Sequence, residues 1–261
     1  MSEKTWSKHP SVGLVGFGAF GRLVAAHLQP HARILAHDPA YPLGPCAGLD
    51  GVTLTSLAAV AGCEIVILAM PVGAIAAVVQ AIGRYLRPGA LVLDVGSVKV
   101  EPAEIMRQGL PAYVDIIATH PLFGPQSARS GLAGLKIAIC PIRGRRAPRI
   151  AAFLRRMLGL EVILTTPEAH DREAAIVQGL THLIAKVLVQ MEPLPRRMTT
   201  RSFDLLMQGI GMVRHDAPEV FHAIERANPY AGEVRRRFFD LAAALDAEFA
   251  APAGYAGLPP L

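Results

Sequence analysis

Gly16-Phe17-Gly18-Ala19-Phe20-Gly21 spaces three glycines in a way that suits one kind of ligand. The first glycine permits a tight turn, the second lets backbone approach a pyrophosphate, and the third lets a helix pack closely on the preceding strand. The apolar run 12–15 before them and the helical pattern 21–28 after them supply that strand and helix, whose N-terminus then faces the anion. Asp38 ends the next apolar run, roughly 20 residues on, where a carboxylate accepts hydrogen bonds from ribose hydroxyls and repels a 2′-phosphate. Pro39 and Ala40 follow it, so the arginine that would hold such a phosphate is missing. The spacing predicts an NAD site, favoured over NADP, made by Gly16, Phe17, Gly18, Ala19, Phe20, Gly21, Asp38 and Pro71. The plainer alternative for Asp38 is a turn cap.

A second group of residues can move protons. His120 stands in Thr119-His120-Pro121-Leu122-Phe123-Gly124-Pro125-Gln126-Ser127, after a predicted strand over 114–119, at the carboxyl edge where α/β sheets take ligands. Imidazole titrates near neutrality and suits general acid–base work. Ser97 and Lys99 end another strand in Asp94-Val95-Gly96-Ser97-Val98-Lys99, with Lys99 either supporting that loop, carrying charge toward a ligand, or solvated. His182 lies inside a long apolar helix, in Gln178-Gly179-Leu180-Thr181-His182, where a lone histidine is more often a satisfied core group. His170-Asp171 begins the same helix and serves equally well as a cap, so neither is assigned to catalysis.

The elements that must position these groups fall into two blocks. Apolar runs at 12–15, 33–36, 64–69, 90–94, 114–119 and 136–140 alternate with helical segments at 21–28, 72–85 and 101–108, the rhythm of a doubly wound Rossmann sheet covered on both faces. A helix to about residue 158 and a short strand at 162–164 follow. Beyond them come only helical periods, at 167–191, 202–213, 218–226 and 230–249, with Pro193 and Pro195 ending the first. The expected division is a dinucleotide-binding domain over 1–166 and an all-α domain over 167–261.

Hydrophobic residues make up 52% of the 261-residue chain and charged ones 18%, enough to bury a sizeable core. Three widely spaced cysteines form no zinc pattern, so reduced thiols and no metal are expected. The apolar run 65–82 is divided by Pro71 and Gly73 and is read as strand plus helix, not as a membrane span. Nothing at the N-terminus reads as a signal peptide, which places the protein in the cytoplasm. The net charge of +5 comes largely from arginine clusters without aromatic interleaving, read as solvated helix faces and not as a nucleic-acid surface.

Taken in order, the glycine loop, the Asp94–Lys99 segment, the His120 loop, His170-Asp171, the Gln178–His182 segment and Asn228-Pro229-Tyr230 resemble the prephenate and arogenate dehydrogenases, over residues 12–245. The resemblance implies an oxidative decarboxylation on the path to tyrosine, in which a hydride leaves C4 of a cyclohexadienyl ring and the ring carboxylate departs as carbon dioxide. It makes His120 the group that takes the C4 hydroxyl proton and Ser97 a hydrogen-bond partner of both that hydroxyl and the histidine. Ser97, Lys99, His120, Gln126, Ser127, His182, Arg214, Arg201 and Asp216 are the residues expected against substrate. Relatives take the substrate carboxylate with an arginine of the helical domain. Here Gly211-Met212 stands where some of them have that arginine, leaving Arg214 or Arg201 for the task. Asp216 or Glu219 would pair with an ammonium group, a slight lean to arogenate, or else cap the helix at Pro218. A homodimer through the helical domain is expected from its apolar helices and from the pairing of relatives there, and no appended regulatory or mutase domain is expected. Two other readings stay open: a two-domain reductase whose catalytic lysine would be Lys186, and a noncatalytic NAD-binding sensor.

Overall fold

The computed structural model describes residues 9–46 and 48–250. Its first part is a nine-stranded sheet, β1 (Ser11–Val15), β2 (Arg33–His37), β3 (Gly44–Pro45), β4 (Val52–Leu54), β5 (Ile65–Leu68), β6 (Leu91–Asp94), β7 (Asp115–Pro121), β8 (Lys136–Arg143) and β9 (Glu161–Leu164). Their spatial order is β3-β4-β2-β1-β5-β6-β7-β8-β9. From β4 to β7 all pairs are parallel, with β1 at the centre and the chain moving outward first through β2 and β4, then through β5, β6 and β7. That reversal at β1 and β5 is the switch point where doubly wound sheets open a crevice at their carboxyl edge.

Strands β5 and β6 are buried along their whole length, as their unbroken apolar sequences require. One face of the sheet packs on α1 (Ala19–Leu28) and α5 (Ala147–Leu158), and the other on α2 (Leu57–Ala61), α3 (Ile75–Ile82) and α4 (Val100–Gly109). The run 65–82 is cut at Pro71 as expected, and among the described residues no helix is long and apolar enough to cross a membrane. All three cysteines are free thiols, and burial pushes Cys140 up to about 12.

The strand expected at 136–140 joins the sheet antiparallel to β7. A parallel neighbour needs a crossover connection, usually helical, and residues 122–135 contain turns and no helix. Strand β4 and helix α2 were not anticipated. Three residues with Thr53 pointing out, and five helical residues started by the Ser56 side chain, are too short to show a period.

The second part is helical: α6 (Pro167–Gln190), α7 (Arg201–Val213), α8 (Pro218–His222) and α9 (Ala231–Ala250). Thr166 starts α6 by accepting from the Ala169 N–H at 3.2 Å, and Pro167 occupies the first turn, where its missing N–H costs nothing. The helix expected over 218–226 instead passes into a π turn at Ala223–Ala227.

Candidate active site

The glycine loop has the steric demands its spacing implied. Gly16 sits at φ 95°, and a Cβ there would lie 2.4 Å from the Ala69 carbonyl oxygen. A Cβ on Gly21 would lie 2.3 Å from the Gly16 carbonyl oxygen, so this glycine is what lets α1 meet the loop. Gly18 has no atom within 4 Å of an added Cβ and is exposed, which leaves its backbone open to a ligand. Asp38 accepts from the Phe17 N–H at 2.7 Å and from the Ala40 N–H at 2.9 Å, so it caps its own turn and ties it to the glycine loop. The Phe17 side chain is fully buried, edge-on to Tyr41 at 5.7 Å, and packs in the core, which leaves only the backbone of this residue to meet a cofactor. Ala19 and Pro71 are exposed at the same edge, and Phe20 stands 6.3 Å from Phe123 of the His120 loop.

Behind that edge lies a buried ion pair. The Lys99 ammonium is bonded to the Asp94 carboxylate and donates to the Thr119 carbonyl oxygen at 2.6 Å, with both side chains fully buried. Asp94 also accepts from the Gly96 N–H at 3.0 Å and the Thr119 N–H at 3.2 Å. Burial pushes the Asp94 carboxyl up, against the pull of the ammonium and these N–H groups. Lys99 therefore ties the end of β6 to the residue before His120. This corrects the expectation that it meets substrate, because its donors face protein.

His120 is 4% exposed at the end of β7. Its Nδ1 lies 2.8 Å from His170 Nε2, and His170 Nδ1 lies 2.7 Å from Asp171 Oδ1. Asp171 in turn accepts from the backbone N–H groups of Lys99 at 2.7 Å and Val100 at 2.9 Å, capping α4, which has no side-chain cap of its own. These bonds order the protons. A carboxylate that already accepts from backbone accepts a further hydrogen bond from the His170 Nδ1–H, and the tautomer that fits keeps the His170 lone pair on Nε2. His120 Nδ1 must then be the donor, and the basic lone pair of His120 falls on Nε2. The Gln178 amide nitrogen faces that atom at 3.4 Å. Burial, then the neighbouring His170 and then the Lys99 charge, hold the His120 imidazolium well below the ordinary 6.5, so the ring is a neutral base at pH 7.

Along α6, His182 is held by the Gln178 carbonyl oxygen at 2.9 Å from Nδ1 and meets Asp216 Oδ2 at 3.2 Å from Nε2. Two residues expected at the substrate are thus brought together on the helical side. Ser97 is half-buried in the loop after β6 and forms no side-chain hydrogen bond among the described residues. The expected Ser97 bond to His120 is absent, because Nδ1 and Nε2 are matched to His170 and Gln178. Gln126 and Ser127 are exposed in the turn-rich loop beyond Phe123. Arg214 is paired with Glu192, the second of two contacts being 2.7 Å, and Arg201 is exposed at the start of α7, about 20 Å along that helix from Arg214. Neither arginine is free and close to the His182–Asp216 corner, so the expected clamp is not found in either.

His170, Asp171, Gln178 and Asn228, which donates to the Asp171 carbonyl oxygen at 2.7 Å, were not assigned to the site from sequence. The signal present was the spacing of His170, Gln178 and His182 on one helix, eight and four residues apart. That spacing alone cannot tell which strand the helix will meet.

A doubly wound sheet with a glycine turn after its first strand and a helical appendage defines the Rossmann class of fold. A family model described as the nucleotide-binding domain of prephenate dehydrogenase matches residues 47–162. The chain is 28% identical over 189 residues to a probable arogenate/prephenate dehydrogenase of Methanocaldococcus jannaschii, covering 68% of this chain and 42% of that protein. It is 28% identical over 242 residues to arogenate dehydrogenase 1, chloroplastic, of Arabidopsis thaliana, covering 87% of this chain and 37% of that protein. The chain thus spans about two fifths of the length of these curated relatives. The crystal structure of prephenate dehydrogenase from A. aeolicus in complex with hydroxyphenyl propionate and NAD+ superposes with a TM-score of 0.68 at 21% identity, over 95% of this chain and 93% of that one. The chain is thus similar to prephenate and arogenate dehydrogenases, with the family model covering a little under half of it.

Proposed function

We propose that this chain catalyses the NAD-dependent oxidative decarboxylation of arogenate and, less readily, prephenate, with His120 as the base. The observation that carries this reading is the buried His120 ring whose Nδ1 is bonded to His170, leaving a neutral Nε2 lone pair at the carboxyl edge of the sheet. NAD supplies the hydride acceptor when bound. The open backbone at Gly18 and the carboxylate of Asp38 fit its pyrophosphate and ribose, and the charge of Asp38 disfavours a 2′-phosphate.

His120 Nε2 accepts the proton of the C4 hydroxyl as C4 becomes a carbonyl carbon. Loss of the ring carboxylate as carbon dioxide then aromatises the ring, and His120 returns the proton to the phenolate oxygen, so the proton count closes. The ordered chain from Asp171 through His170 keeps the accepting lone pair on Nε2, where the substrate hydroxyl takes the place of the Gln178 amide. Ser97, whose side chain bonds none of the described residues, is available to the same hydroxyl. Gln126 and Ser127 come from the loop that follows His120 and border the substrate. Asp216, beside His182, favours a substrate with an ammonium group, which is the ground for preferring arogenate.

The division into a nucleotide-binding domain over 1–166 and a helical domain over 167–261 follows the change at Thr166, and the protein is read as cytoplasmic. A homodimer through the helical part is supported by exposed apolar side chains there, among them Val177 on α6, Leu205 on α7 and Leu241 and Phe249 on α9.

The test is to supply purified protein and NAD with arogenate and prephenate separately and follow the reduced cofactor. Turnover of arogenate with higher kcat/KM than prephenate is expected; turnover of neither acid refutes the reading.

A further inference from the structure

The proposed substrate places its hydroxyl and its side-chain carboxylate at opposite ends of a para-substituted ring. If His120 marks the hydroxyl end, the carboxylate end needs a cation some way along the helical wall. Gln178, His182 and Lys186 follow one another at four-residue steps on α6, so they form one stripe. Gln178 touches His120 Nε2, and Lys186 stands about 12 Å further along the helix axis. Helical side chains lean back toward the N-terminus, which turns the long Lys186 stem toward His182 and not away from it.

Phe221 closes the same corner. Its ring centre is 6.4 Å from that of His182, and the Lys186 ammonium lies over the ring at 5.3 Å from its centre. An ammonium over an aromatic face is held in place yet keeps donors for another partner. Among the described residues Lys186 pairs with no carboxylate, whereas Arg214 is paired with Glu192. Lys186 is exposed, so a ligand can reach it.

We infer that Lys186 is the cation that binds the side-chain carboxylate of the substrate, in place of the arginine that the sequence left unassigned. This rests on the activity proposed above. The lysine sets affinity for acids of this length and takes no part in proton or hydride transfer.

The experiment is steady-state kinetics of K186Q and K186R with arogenate and prephenate at saturating NAD, together with calorimetric titration of 3-(4-hydroxyphenyl)propionate and of 4-propylphenol, which lacks the carboxylate. K186Q is expected to raise KM for both acids about tenfold or more with kcat kept within a few-fold, as for loss of a charge-assisted hydrogen bond to bound ligand. It should weaken the propionate and leave 4-propylphenol unchanged, and K186R should recover part of the loss. Unchanged KM in K186Q, or a fall in kcat at constant KM, overturns the inference while leaving the activity standing. Failure of the unaltered protein to turn over either acid refutes the activity itself, and this inference with it.

Discussion

Replacing His170 with leucine removes the acceptor of the His120 Nδ1 proton while leaving Asp171 bonded to the N-terminus of α4. In the unaltered protein the Nδ1–H form of His120 is favoured by the 2.8 Å bond to His170 Nε2. Without it a buried N–H is left unsatisfied, at a cost of about 1–3 kcal/mol. The ring escapes that cost by moving its proton to Nε2, where the Gln178 side-chain oxygen, buried and unpartnered, can accept it after the amide turns over. That form has no lone pair toward substrate. Since about 1.4 kcal/mol is tenfold in rate, kcat should fall about 10- to 100-fold, with KM for arogenate little changed because the substrate contacts remain. The assay is initial-rate NAD reduction at pH 7.5 over a range of arogenate. His170→Gln, whose amide offers both an acceptor and a donor, should retain kcat within a few-fold. Wild-type kcat in His170→Leu would refute the reasoning that the chain from Asp171 sets the His120 tautomer.

The depressed His120 imidazolium predicts two pH effects. The folded ring resists protonation, so the unfolded chain binds the extra proton first and stability falls as pH drops below the ordinary 6.5 toward the lowered value, with no change above it. The acid limb of kcat/KM should likewise lie well below 6.5; a limb at or above that pH contradicts the assignment. Lys99→Met leaves the buried Asp94 carboxylate unpaired and should cost about 3–5 kcal/mol in urea unfolding, with Asp94→Asn in the same chain recovering part of it. Gly21→Ala puts a Cβ 2.3 Å from the Gly16 carbonyl oxygen and should lower the thermal midpoint, whereas Gly18→Ala, with open space around it, should keep the midpoint and weaken NAD in a fluorescence titration.

Most of the sheet was legible because β5 and β6 are unbroken apolar runs and the glycine loop carries its own steric reason. What was hidden depended on tertiary partners. Strand β4 is held by its register with β2 and by no period of its own, and the reversed direction of β8 depends on the missing crossover. In the site, His120 and the His182 neighbourhood stood out by residue type and motif. Lys99 could not be told from a solvated lysine, since its burial depends on Asp94 and Thr119 meeting it across two strands. His170 and Asp171 read as a helix start, which they are, while the same carboxylate also caps α4 some 70 residues earlier in the chain.

The central claim is that the Nε2 lone pair of His120 takes the hydroxyl proton as arogenate is oxidised. The most direct measurement is NAD reduction by His120→Ala with arogenate, without and with added imidazole. A loss of at least about 100-fold in kcat is expected, partly restored as imidazole is added in its neutral form. Turnover equal to that of the unaltered protein, with no response to imidazole, would contradict it.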